Sequence, residues 1–452
     1  MEPPRQATRI ALFDFTSVPM RTFHMAWSAF FLCSFGWFGI APLMAVVRDD
    51  LELTRAQVGN TVIASVAITV LARLVVGWLC DRIGPRKAFT GLLVLGALPV
   101  MGIGLARDYG TFLLFRLAIG AIGASFVITQ YHTTQMFAPD VVGTANATTA
   151  GWGNLGGGVT QMAMPAALAG LVALGFTTAE SWRIAMILPG AALLAAGVAY
   201  WCATTDSPAG NYADLRAAGL MPGARQIDGH FWEAWKDRRV WALFVIYGAC
   251  FGIELTINNV AALYFRDYFS LGLATSGLVA GLFGLMSIFA RTLGGLVGDR
   301  SGRRWGLKGR VVCLGAVLLA EGLALMWFSR QQDLVMATVT LVVCGLFVKM
   351  SQGTTFSVVP FINRRALGAV AGIVGAGGNA GAVAAGLLFR TESLSWPQAL
   401  LILGAVVTVS SVLAVTVRFS AAEERAAREE TVGRPRRARE PADGALPAPQ
   451  IS

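Results

Sequence analysis

Arg73-Leu-Val-Val-Gly77-Trp-Leu-Cys-Asp81-Arg82-Ile-Gly84-Pro-Arg86 and Arg291-Thr-Leu-Gly-Gly295-Leu-Val-Gly-Asp299-Arg300-Ser-Gly302-Arg-Arg304 are two copies of one pattern. Arg, Gly, Asp, Arg, Gly and Arg recur at a single offset, so the chain repeats itself in two halves. Each copy opens inside a long apolar stretch. An arginine placed in hydrocarbon costs several kcal/mol, so an intramembrane one is a functional candidate by default. Arg73 precedes Asp81 by eight residues, about 12 Å along a helix at ~1.5 Å per residue. That depth is near the bilayer midplane. Two such arginines at matching positions imply a positive site at the junction of two repeats, suited to an anion.

The surrounding composition supports a membrane setting. Hydrophobic residues make up 55% of the 452 positions and charged residues only 14%, against roughly a quarter in soluble domains. Apolar runs able to cross a core of about 30 Å recur along the chain. Twelve are read, at 25–47, 56–79, 87–106, 110–136, 143–172, 182–202, 239–265, 274–297, 309–328, 333–359, 366–390 and 396–418. The expected organisation is an N-terminal segment (1–24), a six-helix bundle (25–202), a polar linker (203–238), a second six-helix bundle (239–418) and a partly disordered tail (419–452). The fold class is all-α and membrane-spanning, with two pseudo-symmetric bundles.

The net charge of +10 reflects topology rather than nucleic-acid binding. With the N-terminus in the cytoplasm, most of the 36 Lys and Arg fall in cytoplasmic segments, as the positive-inside rule requires, and both termini are cytoplasmic. The first apolar run is too long for a signal-peptide core and is expected to remain as a helix. The six cysteines are scattered without a C-x-x-C or His-flanked cluster, so neither a disulfide framework nor a metal site is expected. No nucleophile–base pair or cofactor fingerprint is present, so an enzyme is disfavoured. The expected partners are the bilayer and a small ligand, and the expected state is a monomer.

The twelve-run layout with Gly77-x-x-x-Asp81-Arg-x-Gly-Pro-Arg-Lys87 resembles the major facilitator superfamily, and Arg116-Leu-Ala-Ile-Gly120 resembles its second motif. Gly151-Trp-Gly-Asn154-Leu-Gly-Gly-Gly158-Val-Thr-Gln161 and Gly372-Ile-Val-Gly375-Ala-Gly-Gly-Asn379-Ala-Gly381 resemble the two signatures of the nitrate/nitrite porter family. Phe251-Gly-Ile-Glu254-Leu-Thr-Ile-Asn258-Asn259 and Ser181-Trp-Arg183 are similar to the plant and cyanobacterial branches of that family. The resemblance covers residues 20 to 418. It implies that Arg73 and Arg291 bind nitrate or nitrite together with Asn154, Asn379, Tyr247, Phe251 and Phe126. The family's first-span phenylalanine is matched equally by Phe35 and Phe38 and is not assigned.

These residue types suit the implied chemistry. Guanidinium is planar, permanently charged and weakly hydrated, and it donates in-plane pairs of hydrogen bonds to a planar oxyanion. Gly151, Gly157 and Gly158 share the helical face of Asn154, and Gly372, Gly375 and Gly386 share that of Asn379. Such faces serve either close helix packing, with the asparagine tied to backbone, or ligand access. Acids that could neutralise the arginines are few. Glu254 in the seventh run can pair with one, and Glu321 lies in the ninth, so an excess of buried positive charge remains. Gly77, Asp81, Arg82, Gly84, Arg86, Asp299 and Arg300 are expected to hold the cytoplasmic loops or latch the halves, not to touch substrate.

The function expected is secondary transport of nitrate, nitrite or both by alternating access around a midplane site. Proton symport is the favoured coupling, with Glu254 and then His132 as proton carriers. Nitrate/nitrite exchange is the alternative, followed by carriage of another small anion or a non-transporting nitrate sensor. For Arg116 and Lys349, structural and functional roles stand level. The location expected is the cytoplasmic membrane.

Overall fold

The repeat becomes two six-helix bundles in a computed structural model that describes residues 6–138, 141–220, 228–363, 367–391 and 393–425. The first bundle crosses at Val18–Asp50, Arg55–Ile83, Pro85–Leu105, Tyr109–Met136, Val142–Ala173 and Thr178–Ala203. The second crosses at Arg238–Phe269, twice within Leu273–Phe328, then at Leu334–Phe361, Leu367–Arg390 and Trp396–Thr416. The 56-residue stretch Leu273–Phe328 is far too long for one crossing, and it turns back at Gly306, whose φ of 71° and ψ of −160° are non-helical. It therefore holds the eighth and ninth spans.

Capping motifs set several helix starts. Thr54 accepts from the Gln57 amide at 3.2 Å while the Gln57 side chain accepts from the Thr54 amide at 2.8 Å. Thr177–Glu180 and Ser395–Gln398 repeat this capping box. The first helix begins at Val18, earlier than the run read from residue 25, because Pro19 occupies a first-turn position that needs no amide donor. The linker is not wholly irregular, since it carries helices Tyr212–Ala217 and Asp228–Lys236.

Small residues bring the two bundles together. The fifth and eighth spans cross at Gly158 and Gly284, where a Cβ added to Gly284 would lie 2.2 Å from the Gly158 Cα. Only backbone fits there. Lower on the same pair, the Gln161 carbonyl would meet a Cβ on Gly277 at 2.1 Å. The second and eleventh spans meet at Gly59, against the Arg390 backbone, and at Gly386, against Ile63. Close approach of this kind is how helices associate in lipid, where no hydrophobic driving force separates helix from solvent. Outward-facing Leu95, Val198, Val335, Val409 and Val412 are more than half exposed, as lipid-facing positions should be.

The two copies of the opening pattern fold differently. In the first, Gly84 turns the chain at φ 90°, and a Cβ there would sit 2.3 Å from an Asp206 carboxylate oxygen. That carboxylate accepts from the Arg86 amide at 2.8 Å and the Tyr212 amide at 2.9 Å, tying the third span's start to the linker. In the second copy, helix continues through Gly302 and the turn falls four residues later at Gly306. There Glu424, at the beginning of the tail, accepts from the Leu307 and Lys308 amides at 3.0 and 2.9 Å.

Candidate anion-binding site

Two interruptions of regular helix place the central side chains. The fourth span passes through a 3-10 turn at Ala121–Ala124, two residues before Phe126, and the eighth through one at Met286–Ile288, three residues before Arg291. Such mid-helix tightening often marks functional positions.

Arg73 and Arg291 then converge on one aromatic ring. The Arg73 guanidinium carbon lies 5.6 Å from the Phe126 ring centre and that of Arg291 lies 5.8 Å from it. Arg73 is also 5.7 Å from the Phe251 ring. Phe251 stacks on Tyr247 at 5.3 Å and 10°, and Tyr247 meets Phe356 edge-on at 5.2 Å. Cation–π contact offsets part of the cost of burying guanidinium without consuming its N–H donors. Arg73 keeps most of its donors: Nη1 donates to the Gly375 carbonyl at 3.1 Å, and Nε has no protein acceptor. The Gly375 bond joins the second span to the eleventh, so it bridges the two bundles.

Arg291 is held more firmly. It is 6% exposed, and it donates from Nη1 to Gln352 Oε1 at 3.2 Å and from Nη2 to the Tyr247 hydroxyl at 3.4 Å. Gln352 in turn donates through Nε2 to Glu254, whose other oxygen pairs with Lys349. Sequence allowed a direct Arg–Glu254 pair. Instead the carboxylate takes Lys349, one turn before Gln352 on the tenth span, and reaches Arg291 only through the Gln352 amide. Both Lys349 and Glu254 are essentially inaccessible.

The signature asparagines flank this centre with capacity to spare. Asn379 follows Gly375 by one helical turn and shares its face; it is fully buried, and neither its Nδ2 nor its Oδ1 has a protein partner. On the fifth span, Gly151 packs against the Ser287 carbonyl and Gly157 against Phe38, with Asn154 between them and its Nδ2 unpartnered. The asparagines are thus not tied to backbone, although Gly153 and Gly156 do serve packing, against Phe30 and the Phe31 carbonyl of the first span. Of the two first-span candidates, Phe38 faces Gly157, whereas Phe35 stacks on Phe31.

Other expected residues lie elsewhere. His132 is fully buried, but Nε2 donates to the Thr205 carbonyl at 2.7 Å and Nδ1 accepts from the Tyr200 hydroxyl at 2.6 Å, so it staples the fourth span to the sixth and the linker. Arg116 donates to Asn259 at 2.8 Å and to the Trp37 carbonyl at 3.4 Å, joining the fourth span to the seventh across the bundles. The loop residues remain remote from the arginines: Arg86 donates to the Trp201 carbonyl at 2.9 and 2.5 Å, the Arg82 carbonyl accepts from Arg216, and Asp299 pairs with Arg310. Gly77 meets only Val127, and Arg300 is exposed. The Asp81 side chain lies outside the described residues. Gln352 was not foreseen, because one glutamine in a Ser/Thr-rich span has no distinguishing spacing.

Comparisons with known proteins agree with this architecture. The Major Facilitator Superfamily model matches residues 26–362 and 259–447. The chain is 39% identical over 391 residues to the Arabidopsis thaliana protein named High affinity nitrate transporter 2.5, covering 86% of this chain and 77% of the relative. It is 38% identical over 385 residues to High-affinity nitrate transporter 2.3 of Oryza sativa, covering 85% and 74%. A cyanobacterial relative from Picosynechococcus, Nitrate/nitrite transporter NrtP, is 29% identical over 462 residues, covering 82% and 85%. The crystal structure of a bacterial homologue of the human lysosomal transporter Spinster superposes with a TM-score of 0.68 at 15% identity, covering 89% of this chain and 99% of that one. The chain belongs to the nitrate/nitrite porter family of the major facilitator superfamily.

Proposed function

We propose that this protein carries nitrate and nitrite across the cytoplasmic membrane by alternating access, with the anion between Arg73 and Arg291 and both termini in the cytoplasm. The convergence of two guanidinium groups, one from each bundle, on Phe126 carries this reading. Empty, the two positive groups repel each other, and closure is disfavoured. A planar oxyanion accepts from both, while Phe126, Phe251 and Tyr247 cover its faces. Asn154 and Asn379 have free donors to complete its hydrogen bonds. The plant and cyanobacterial relatives' names support the choice of nitrate and nitrite over other small anions.

Uptake of nitrate runs with protons in this reading. Glu254 is the proton carrier, since its carboxylate lies two hydrogen bonds from Arg291, whereas both nitrogens of His132 are engaged far from the arginines. The loop motifs act in gating, holding the cytoplasmic turns. The test is nitrate uptake into proteoliposomes with and without an imposed pH gradient. Arg73→Ala and Arg291→Ala are expected to abolish uptake, and an acid exterior to accelerate it in the unaltered protein. Unchanged uptake in either variant would overturn the site. Uptake indifferent to pH but driven by internal nitrite would replace symport with exchange.

A further inference from the structure

We infer that Gln352 is the positioning residue through which the Glu254–Lys349 pair controls the anion-binding donors of Arg291. This rests on the anion site proposed above, and it adds a physical route for coupling.

The argument begins with what each group can do. An arginine only donates, and an ionised carboxylate only accepts. Gln352 sits between one of each, fully buried, with its carbonyl oxygen toward Arg291 and its amide nitrogen toward Glu254. Both neighbours therefore select the same orientation of the amide. In that orientation Gln352 holds an Arg291 N–H that an anion would otherwise use.

Protonation of Glu254 changes the balance. One proton taken from the side the site faces adds to a carboxylate oxygen and gives a neutral carboxyl that can donate as well as accept. The amide is then held in that orientation by Arg291 alone. An arriving anion that takes over the Arg291 N–H frees the amide to turn over and accept from the Glu254 carboxyl, so Arg291 is released to the anion at little cost only when Glu254 is protonated. Neutralising Glu254 also leaves Lys349 without its counter-charge and raises the positive charge around the site. An arriving anion restores the former net charge. Proton and anion thus favour each other's binding, and release of the anion on the far side returns Glu254 to the Lys349 pair with loss of the proton.

The groups around Glu254 make this local. Lys349 and Gln352 face it from the tenth span, and Arg291 lies beyond Gln352 on the eighth. Tyr247, within electrostatic reach of Arg73 and Arg291, and Cys250, within reach of Arg291, precede it on its own helix. Glu321 of the ninth span, fully buried beside Ser351, is a second acid within electrostatic reach. Among these groups, Gln352 alone contacts both Glu254 and an anion-site arginine directly.

Binding of nitrate to the purified protein in lipid nanodiscs, at acid and alkaline pH, tests the inference. In the unaltered protein, affinity is expected to rise on acidification by a factor within the usual coupling range of roughly 5–150-fold. Nitrate should also draw protons from weakly buffered solution, as reciprocity requires. Gln352→Leu, which keeps the Glu254–Lys349 pair, is expected to reduce the pH effect to about twofold or less, and Glu254→Gln to remove it. A Gln352→Leu protein that binds more weakly at every pH with the full pH effect intact would show packing only and overturn the inference. If that variant does not fold, the unaltered protein decides: nitrate binding without proton uptake overturns it. Equal nitrate binding by Arg73→Ala would instead defeat the anion site, a separate outcome.

Discussion

Arg73 and Arg291 occupy equivalent places in the two repeats, yet they keep different company. Arg73 has one backbone carbonyl from the opposite bundle and two aromatic rings. Arg291 is anchored within its own bundle to Gln352 and Tyr247, and through Gln352 to an acid–lysine pair. The second repeat thus carries a titratable network around its arginine that has no counterpart at Arg73 among the described residues. In the proposed reading, one arginine senses the approach of the bundles and the other senses protonation. On that proposal, pseudo-symmetry builds the anion site and departure from it builds the coupling.

The sharpest way to break this comparison is to retain charge and change geometry. Arg73→Lys and Arg291→Lys keep a cation but lose the planar fork, and each is expected to cost at least about tenfold in nitrate affinity, roughly 1.4 kcal/mol. Arg291→Lys should cost more, because it also abandons the Gln352 acceptor in a buried site. Equal, small losses measured by nitrate binding would mean that neither fork matters.

The network itself gives the largest expected loss of stability. Lys349→Ala leaves the Glu254 charge buried without its partner, and loss of one member of such a pair costs about 3–5 kcal/mol. Thermal unfolding in detergent should show the loss, and Lys349→Met with Glu254→Gln should recover most of it. No corresponding sensitivity is expected around Arg73.

A third comparison sets the two faces of the protein against each other. Away from the termini, bonds cross between bundles: Arg116 to Asn259 at 2.8 Å and Arg48 to Asp267 at 2.7 Å. Asn259→Ala removes a buried charged hydrogen bond worth about 1.5–3 kcal/mol. It should shift the protein toward the state open on that face, read as longer distances between spin labels on the remote ends of the first and seventh helices. The smallest effect concerns the turns. Gly84→Ala meets both a positive φ and the Asp206 carboxylate, with a cost of about 1–3 kcal/mol for the strained backbone. Gly302→Ala, which meets the Arg310 side chain inside a helix, should cost less in the same melting experiment.

Much of this was legible beforehand for a physical reason. The bilayer admits few structures, so hydropathy and length alone specify spanning helices, and the repeat specifies two bundles. Arg73 and Arg291 stood out because charge is rare in membranes and because they recur at matching places in the two halves, whereas Tyr247 and Phe251 entered only through the resemblance to the nitrate/nitrite porters. The start of the first helix, the helices within the linker and the displaced turn at Gly306 were not legible. Each depends on a local contact, such as Glu424 on the Leu307 and Lys308 amides, that joins residues far apart in the chain. His132 looked like a proton carrier by residue type, and only its neighbours Tyr200 and Thr205 reveal how it is bonded.

The sequence by itself determined that this chain spans a membrane in two related bundles with an arginine buried in each. That much follows from the cost of exposing backbone and charge to hydrocarbon, which every residue reports locally. Only the tertiary structure decided what those arginines touch. Phe126 meets both of them because the second, fourth and eighth spans converge there, and Gln352 joins Arg291 to Glu254 because the seventh, eighth and tenth spans meet there. A hydrogen bond is short-ranged and directional, so which donor finds which acceptor is settled by helix packing, not by residue type.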